Sequence, residues 1–195
     1  MPPPRSWKGP PAAVTDRQRD PRERREPPAS RGRLTTSAFT TVHVIVSLVG
    51  ILSGLVVLFG LIAGRRLDGW TALFLVTTVA TSVTGFGFPI DHLLPSHKVG
   101  ILSLILLAIA ILARYVFHLA GGWRRTYVVC ASVSLYLNVF VLVVQLFEKV
   151  PALKALAPTQ KEPPFGIAQG VVLLIFVALT VMAVRRFRPE PARRA

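Results

Sequence analysis

Five long segments that are apolar and almost free of charge constrain this chain more than any other feature. They cover about residues 41–63, 69–90, 99–120, 126–147 and 165–184. A helix needs about 20 apolar residues to cross a hydrocarbon core of roughly 30 Å. In lipid, backbone polar groups must be paired inside the protein, which favours helices over open strands. The sequence therefore predicts an all-α membrane protein, a five-span transmembrane helical bundle over residues 38–188.

The composition excludes the main soluble classes. Hydrophobic residues make up 52% of the chain and charged residues only 16%, whereas soluble domains carry about 25% charged residues. An ordinary soluble enzyme and a coiled coil do not fit this pattern. Cys130 is the one cysteine in the sequence, so an internal disulfide and a cysteine metal cluster are excluded as well. The second span is the least apolar of the five, because it contains the hydroxyl residues Thr71, Thr77, Thr78, Thr81, Ser82 and Thr84.

The first 37 residues differ from the rest of the chain. Residues 1–33 contain eight prolines and nine Lys or Arg, and such a segment buries too little apolar surface to offset its ordering entropy. We expect a disordered, basic, Pro-rich tail over 1–37; the alternative is that the true start of the protein lies further along the chain. A short basic tail, 189–195, follows the last span.

Basic residues flank the spans, where Lys and Arg act as topology and interface residues. The lipid bilayer is therefore the expected partner, and nucleic acid is not. Nine Lys or Arg flank the spans on each side of the membrane; without residues 1–33 the count is four against nine. The second count predicts an outside N-terminus and a cytoplasmic C-terminus.

Small and polar residues in the first span predict a helix-packing surface. His43, Ser47, Gly50 and Gly54 share one helical face. The pairs Gly50-x-x-x-Gly54 and Gly60-x-x-x-Gly64 allow a neighbouring helix to approach closely. The alternative for this face is a cofactor groove.

The fourth span carries an intramembrane polar face formed by Ser134, Asn138 and Gln145. An unsatisfied amide in hydrocarbon costs about 2–7 kcal/mol, so Asn138 must face another helix, water or a ligand. We expect hydrogen bonds to other helices, with a stripe of Thr77, Thr81 and Thr84 as the partner. A polar binding cavity is the alternative.

Arg114 and His118 lie one turn apart near the end of the third span. The long stem of an arginine allows its guanidinium to reach the headgroups from within a span. We expect this pair to anchor the helix at the interface; phosphate binding is the alternative.

One membrane face collects His43, Asp91, His92 and His97. A carboxylate and three imidazoles suit a metal site or a proton-transfer cluster, although Pro95 interrupts the spacing of His92 and His97. Bis-histidine haem needs two histidines at matching depth. His43 and His118 fall at opposite ends of their spans, and His97 lies in a loop. No cofactor is therefore predicted, and haem or metal remains the alternative.

The segments GRRLDGWTALFL, SVTGFGFPIDHLLPSH, ARYVFHLAG, LYLNVFVLVVQ and LAPTQKEPPFGIAQG occur between about residues 38 and 188. On these segments the chain resembles an uncharacterised family of small multi-pass proteins of proteobacterial inner membranes. The resemblance implies a helical bundle in the bacterial inner (cytoplasmic) membrane and brings no activity or site residues. The basic Pro-rich tail departs from that pattern.

Packing features outnumber catalytic ones in this sequence. It contains no Gly-rich phosphate loop, no Gly-x-Ser-x-Gly, no His-Glu-x-x-His and no pair of intramembrane carboxylates. We therefore expect a non-enzymatic scaffold or accessory protein that binds a second copy or another membrane subunit. The alternative is a redox or metal/haem module built on the His/Asp cluster, and a small-solute carrier is a third hypothesis.

Overall fold

The computed structural model describes residues 29–87 and 95–188, with side chains over 38–87 and 98–188. All regular elements in these ranges are helical. They are α1 (Ala29–Ile62), α2 (Asp68–Gly85), α3 (Pro95–Ile111), α4 (Trp123–Lys149), α5 (Pro151–Leu156) and α6 (Pro163–Arg186), with a π-helical turn, Leu112–Val116, directly after α3. The chain divides into a unit ending at Thr40 and a second unit from Thr41 onwards.

Within the described residues, four helices are long and apolar enough to cross a membrane. They are Ala38–Ile62, Lys98–Val116, Trp123–Lys149 and Pro163–Arg186, which confirms the prediction of an all-helical chain with several helices of membrane-spanning length and composition. The predicted second span forms the helix α2, but α2 is not among the four because its hydroxyl residues lower its hydropathy. α1 begins at Ala29, inside the segment expected to be a disordered tail; residues 1–28 lie outside the described part of the chain.

α1 and α2 run antiparallel and touch along their length. A Cβ added at Gly54 of α1 would lie 2.8 Å from the ring of Phe74, and one at Gly50 would lie 3.2 Å from Oγ1 of Thr77. Further along, Nδ1 of His43 is 2.8 Å from Oγ1 of Thr84. α2 therefore runs back alongside α1 as far as His43.

The turn between these helices follows from Gly64. The N–H of Arg65 donates to the carbonyl of Gly60 (2.8 Å), and the N–H of Gly64 donates to the carbonyl of Leu61 (3.0 Å). This is the Schellman pattern, in which the residue after the helix adopts the left-handed conformation that glycine tolerates best. Gly64 has φ +73°, so α1 stops here and the chain reverses into α2.

α4 is the central helix of the bundle. It packs against α3 and α6 and more lightly against α2. The core contains fully buried side chains from several helices, among them Leu58, Phe74, Leu107, Tyr127 and Leu135. α6 joins the bundle along one narrow stripe, because its buried residues, Gln169, Phe176 and Ala183, recur at intervals of seven.

Candidate functional site

The two ends of the described bundle carry different basic residues. α1, α3 and α6 end, and α2 and α4 begin, at the end we call the arginine end, with Arg65, Arg66, Arg114, Arg124, Arg125, Arg185, Arg186 and Arg188. The opposite lysine end holds Lys98, Lys149, Lys154 and Lys161. Among the Lys and Arg of residues 41–188 that the structure describes, those at the arginine end are all Arg and those at the lysine end are all Lys; Arg31 and Arg33, near the start of α1, belong to the other unit.

At the arginine end, the guanidinium of Arg114 is held inside the protein. Its Nη2 donates to Oδ1 of Asp68, the first residue of α2. The Arg114 side chain is 3% exposed, whereas that of Asp68 is 75% exposed. The guanidinium carbon lies 5.2 Å from the ring centroid of Tyr127, within the range of a cation–π contact. The Arg114–Asp68 pair therefore joins the end of the third span to the start of α2.

The phenol of Tyr127 completes this buried group. Its ring is fully buried, and its hydroxyl lies near Thr71 and Arg114. The hydroxyl makes no hydrogen bond of ordinary geometry within the described residues. A cation, a phenol and a hydroxyl therefore meet where α2, α3 and α4 converge.

The backbone after Arg114 is irregular. The N–H of Phe117 donates to the carbonyl of Leu112 (3.0 Å) and that of Leu119 to the carbonyl of Ala113 (3.0 Å). His118 and Leu119 have φ values of +48° and +60°, which L-residues rarely adopt. The predicted interface anchors thus separate: Arg114 points into the bundle, while His118 is exposed on the turn. Anchoring by this pair stays a prediction.

Two aromatic rings pack against each other at the same turn. Phe117 and Trp123 stack with their ring centroids 3.9 Å apart and their planes within 3°. Both rings remain partly exposed, as does Trp70 near the start of α2. Aromatic residues of this kind are enriched at the interface between a membrane and water.

Arg124 joins the beginning of α4 to the end of α6. Its Nη1 donates to the carbonyl of Val184 at 3.3 Å and also to the carbonyl of Phe187. The last carbonyls of a helix have no partner within the helix and carry its negative dipole end, so a cation stabilises them. A Cβ added at Gly64 would lie 3.8 Å from the carbonyl oxygen of Arg186. The α1–α2 turn, the start of α4 and the end of α6 therefore meet in one place.

The predicted polar face of α4 is divided in the structure. Nδ2 of Asn138 donates to Oγ1 of Thr78 on α2 at 3.4 Å, and Ser134 is fully buried, whereas Gln145 is exposed. The partner is Thr78 and not the expected stripe: Thr77 donates to the carbonyl of Leu73 in its own helix at 2.7 Å. The stripe was misassigned because one residue shifts a position by about 100° around a helix.

The four glycines predicted to pack play two different roles. A Cβ at Gly54 would lie 2.6 Å from Cδ1 of Leu135 on α4, so Gly54, like Gly50, faces neighbouring helices. A Cβ at Gly60 would instead lie 2.6 Å from Cδ1 of Leu67 in the following turn. Gly60 and Gly64 thus shape the end of α1, whereas Gly50 and Gly54 permit close approach between helices.

The predicted metal cluster falls largely outside the described residues. Asp91 and His92 lie there, as does the side chain of His97, although its backbone begins α3. His43 contacts Thr84, at the end of the bundle opposite His118. Among the side chains described, no three His, Cys, Asp or Glu come close enough to share a metal ion. The cluster therefore stays a prediction.

Three structural residues were missed by sequence reasoning. Asp68 and Arg124 were not singled out in the short charged connections between the predicted spans, although each is bonded to a residue distant in the sequence. Gln169 of α6 was not singled out; it is buried, and its Nε2 donates to the carbonyl of Phe140 on α4 at 3.1 Å. An amide inside an otherwise apolar span was the available signal.

Comparison with family models, with curated proteins and with solved structures returned no match. The resemblance to small proteobacterial inner-membrane proteins accordingly stays a prediction.

Proposed function

We propose that this protein is a non-enzymatic accessory or scaffold bundle of the bacterial inner membrane, and that α6 is the helix that binds its partner. The proposal rests mainly on the exposure of α6, which packs on α4 along one stripe only. Only 17% of its apolar stretch is buried, compared with 44% for α1 and for α4. The rest of its surface is open to lipid or to another membrane helix.

The open surface of α6 contains a small-residue pair that can accept another helix. Gly166 and Gly170 are four residues apart, and a Cβ added at either would meet nothing within 4 Å. Glycines at this spacing let two helices approach closely in lipid. Leu174, one turn further along the same side, is 70% exposed. The occupant that we propose is a helix of a second copy or of another membrane subunit.

In this proposal α2 also crosses the membrane, so the bundle has five spans. Its support is the antiparallel contact with α1, from Gly54 and Phe74 to His43 and Thr84. The proposed orientation places the arginine end in the cytoplasm, because Lys and Arg are enriched in short cytoplasmic flanks. Reporter fusions at Ala195 and within residues 157–162 test the orientation.

The α6 interface is tested by oxidative cross-linking in native membranes. Leu174→Cys is compared with Leu52→Cys, which places a thiol on an exposed position of α1 (64% exposed); both variants carry Cys130→Ala. We expect cross-linked dimers, or a conjugate with one membrane subunit, from Leu174→Cys, and their loss when Gly166→Leu and Gly170→Leu are added. Equal cross-linking from the two sites would contradict the proposal.

A further inference from the structure

The arginine end presents more positive charge than it can neutralise. Arg114 is paired with Asp68, and Arg124 donates hydrogen bonds to the carbonyls at the end of α6. Six arginines in the described part of the chain stay exposed there: Arg65, Arg66, Arg125, Arg185, Arg186 and Arg188. Asp68 is the one acid at this end among the described residues, since Glu148 and Glu162 lie at the lysine end.

These exposed arginines come from three segments that the structure holds together. Arg65 and Arg66 lie on the α1–α2 turn, and Gly64 of that turn approaches the carbonyl of Arg186. Arg124, bonded to the carbonyls of Val184 and Phe187, brings its neighbour Arg125 to the same place. Tertiary contacts therefore bring together segments whose exposed arginines are up to 123 residues apart in the sequence.

We infer that this cluster binds the phosphate groups of anionic phospholipids. Guanidinium groups pair with phosphate through two parallel hydrogen bonds, which lysine cannot do. The exposed arginines gathered at this end therefore suit a phosphate ligand. The inference does not rest on the proposed function, because it concerns lipids and not a protein partner.

A lipid is the source of phosphate that this position favours. The arginines stand at the ends of helices long and apolar enough to span a membrane, next to the partly exposed rings of Trp70, Phe117 and Trp123. Such rings lie at the level of the headgroups. At this depth a lipid phosphate meets the cluster without leaving the membrane.

The test measures lipid binding to the full chain, purified in a non-ionic detergent, by native mass spectrometry. Phosphatidylglycerol is compared with phosphatidylcholine of the same acyl chains, and inorganic phosphate and a single-stranded RNA are added in separate arms. We expect selective binding of phosphatidylglycerol. Arg65→Gln with Arg66→Gln should raise its Kd about 30-fold, because each basic residue near an anionic surface contributes a factor of about five.

The matched control is Lys149→Gln with Lys154→Gln, which removes two charges from the lysine end. We expect this control to leave the Kd for phosphatidylglycerol within about twofold of the parent, because those charges lie at the opposite end of the bundle. Equal binding of the two lipids, an equal loss in the control, or tighter binding of free phosphate or RNA would each overturn the inference. Arg125→Gln is a second, independent variant, and an unchanged Kd in both it and the double variant would also overturn it.

Discussion

Arg114, buried at the end of the third span, is paired with Asp68, which is exposed at the start of α2. Because their burial differs, removing one partner should cost a different free energy of unfolding from removing the other. Removing the carboxylate leaves a buried cation without a counter-ion, which is strongly unfavourable. Removing the guanidinium leaves an exposed carboxylate that water can solvate.

We therefore expect Asp68→Asn to lower the free energy of unfolding by about 1–3 kcal/mol. Arg114→Met, which keeps most of the side-chain volume, should cost less. Thermal unfolding in detergent measures both, and a double-variant cycle isolates the coupling between the residues. A larger loss for Arg114→Met than for Asp68→Asn would show that the pair does not behave as the burial implies.

The bond between Asn138 and Thr78 joins α4 to α2. Asn138→Leu should destabilise the bundle by about 0.6 kcal/mol, the average for a hydrogen bond between membrane helices. Thr78→Val should have a similar effect, and the double variant should be less than additive. Gln145→Leu, at an exposed position on the same helix, is the control and should leave the melting temperature unchanged. Additive losses would mean that the two residues do not interact.

Gly54 and Gly69 make a matched pair for the packing argument. Gly54→Ala would place a Cβ 2.6 Å from Leu135 and 2.8 Å from Phe74, and such overpacking costs about 1–3 kcal/mol. Gly69→Ala, at the start of α2, meets nothing within 4 Å and should be neutral or stabilising, since alanine favours helix by up to about 1 kcal/mol over glycine. Differential scanning fluorimetry of the two variants checks this, and equal melting temperatures would refute it.

The left-handed backbone at His118 is expected to store strain. Glycine adopts φ +48° without the Cβ clash that other residues meet, so His118→Gly should stabilise the protein by about 0.5 kcal/mol. Gly121, which has φ +52° and nothing within 4 Å of an added Cβ, is the converse control. Gly121→Ala should destabilise by about 1 kcal/mol. Chemical unfolding measures both changes, and effects of the opposite sign would exclude strain at the turn.

Glu162 precedes α6 and lies outside the spans. The hydroxyl of Thr159 donates to its Oε1 at 2.8 Å, and the N–H groups of Thr159 and Lys161 also donate to the carboxylate. These bonds favour the ionised form, so the pKa of Glu162 lies below its usual value, with the Thr159 hydroxyl as the largest cause. A lowered pKa means that this stabilisation is present above the unfolded-state pKa and is lost as pH falls through the folded-state pKa.

We expect Thr159→Val to move the pKa of Glu162 back towards the usual value for a glutamate. Titration of the side-chain carboxylate by NMR in micelles measures the shift. Thr126→Val, a substitution at the other end of the bundle, is the control and should leave the titration unchanged. A pKa for Glu162 that is the same in Thr159→Val and in the parent would show that the hydroxyl is not the cause.

Hydropathy was sufficient to locate the membrane helices. The predicted spans 99–120, 126–147 and 165–184 overlap the observed α3 with its π-helical turn, α4 and α6, because a run of apolar side chains can satisfy its backbone in lipid only as a helix. Hydropathy was least informative for α2, whose threonines lower its apolar character although it packs antiparallel against α1. The need for a partner at Asn138 was also predictable, since an amide inside a span cannot remain unsatisfied.

Which side chains meet depends on the rotation of each helix and on the order of the helices in the bundle. A periodic hydropathy pattern specifies neither. The partner of Asn138 is Thr78 and not Thr77, although the two threonines are neighbours in the sequence of α2. The pairing of Arg114 with Asp68, the capping of α6 by Arg124 and the gathering of arginines from three segments all join residues that are distant in the sequence. A sequence records the chemistry of each side chain, but only packing decides which groups share a low-dielectric environment, and there the energy of a charge depends on its nearest partner.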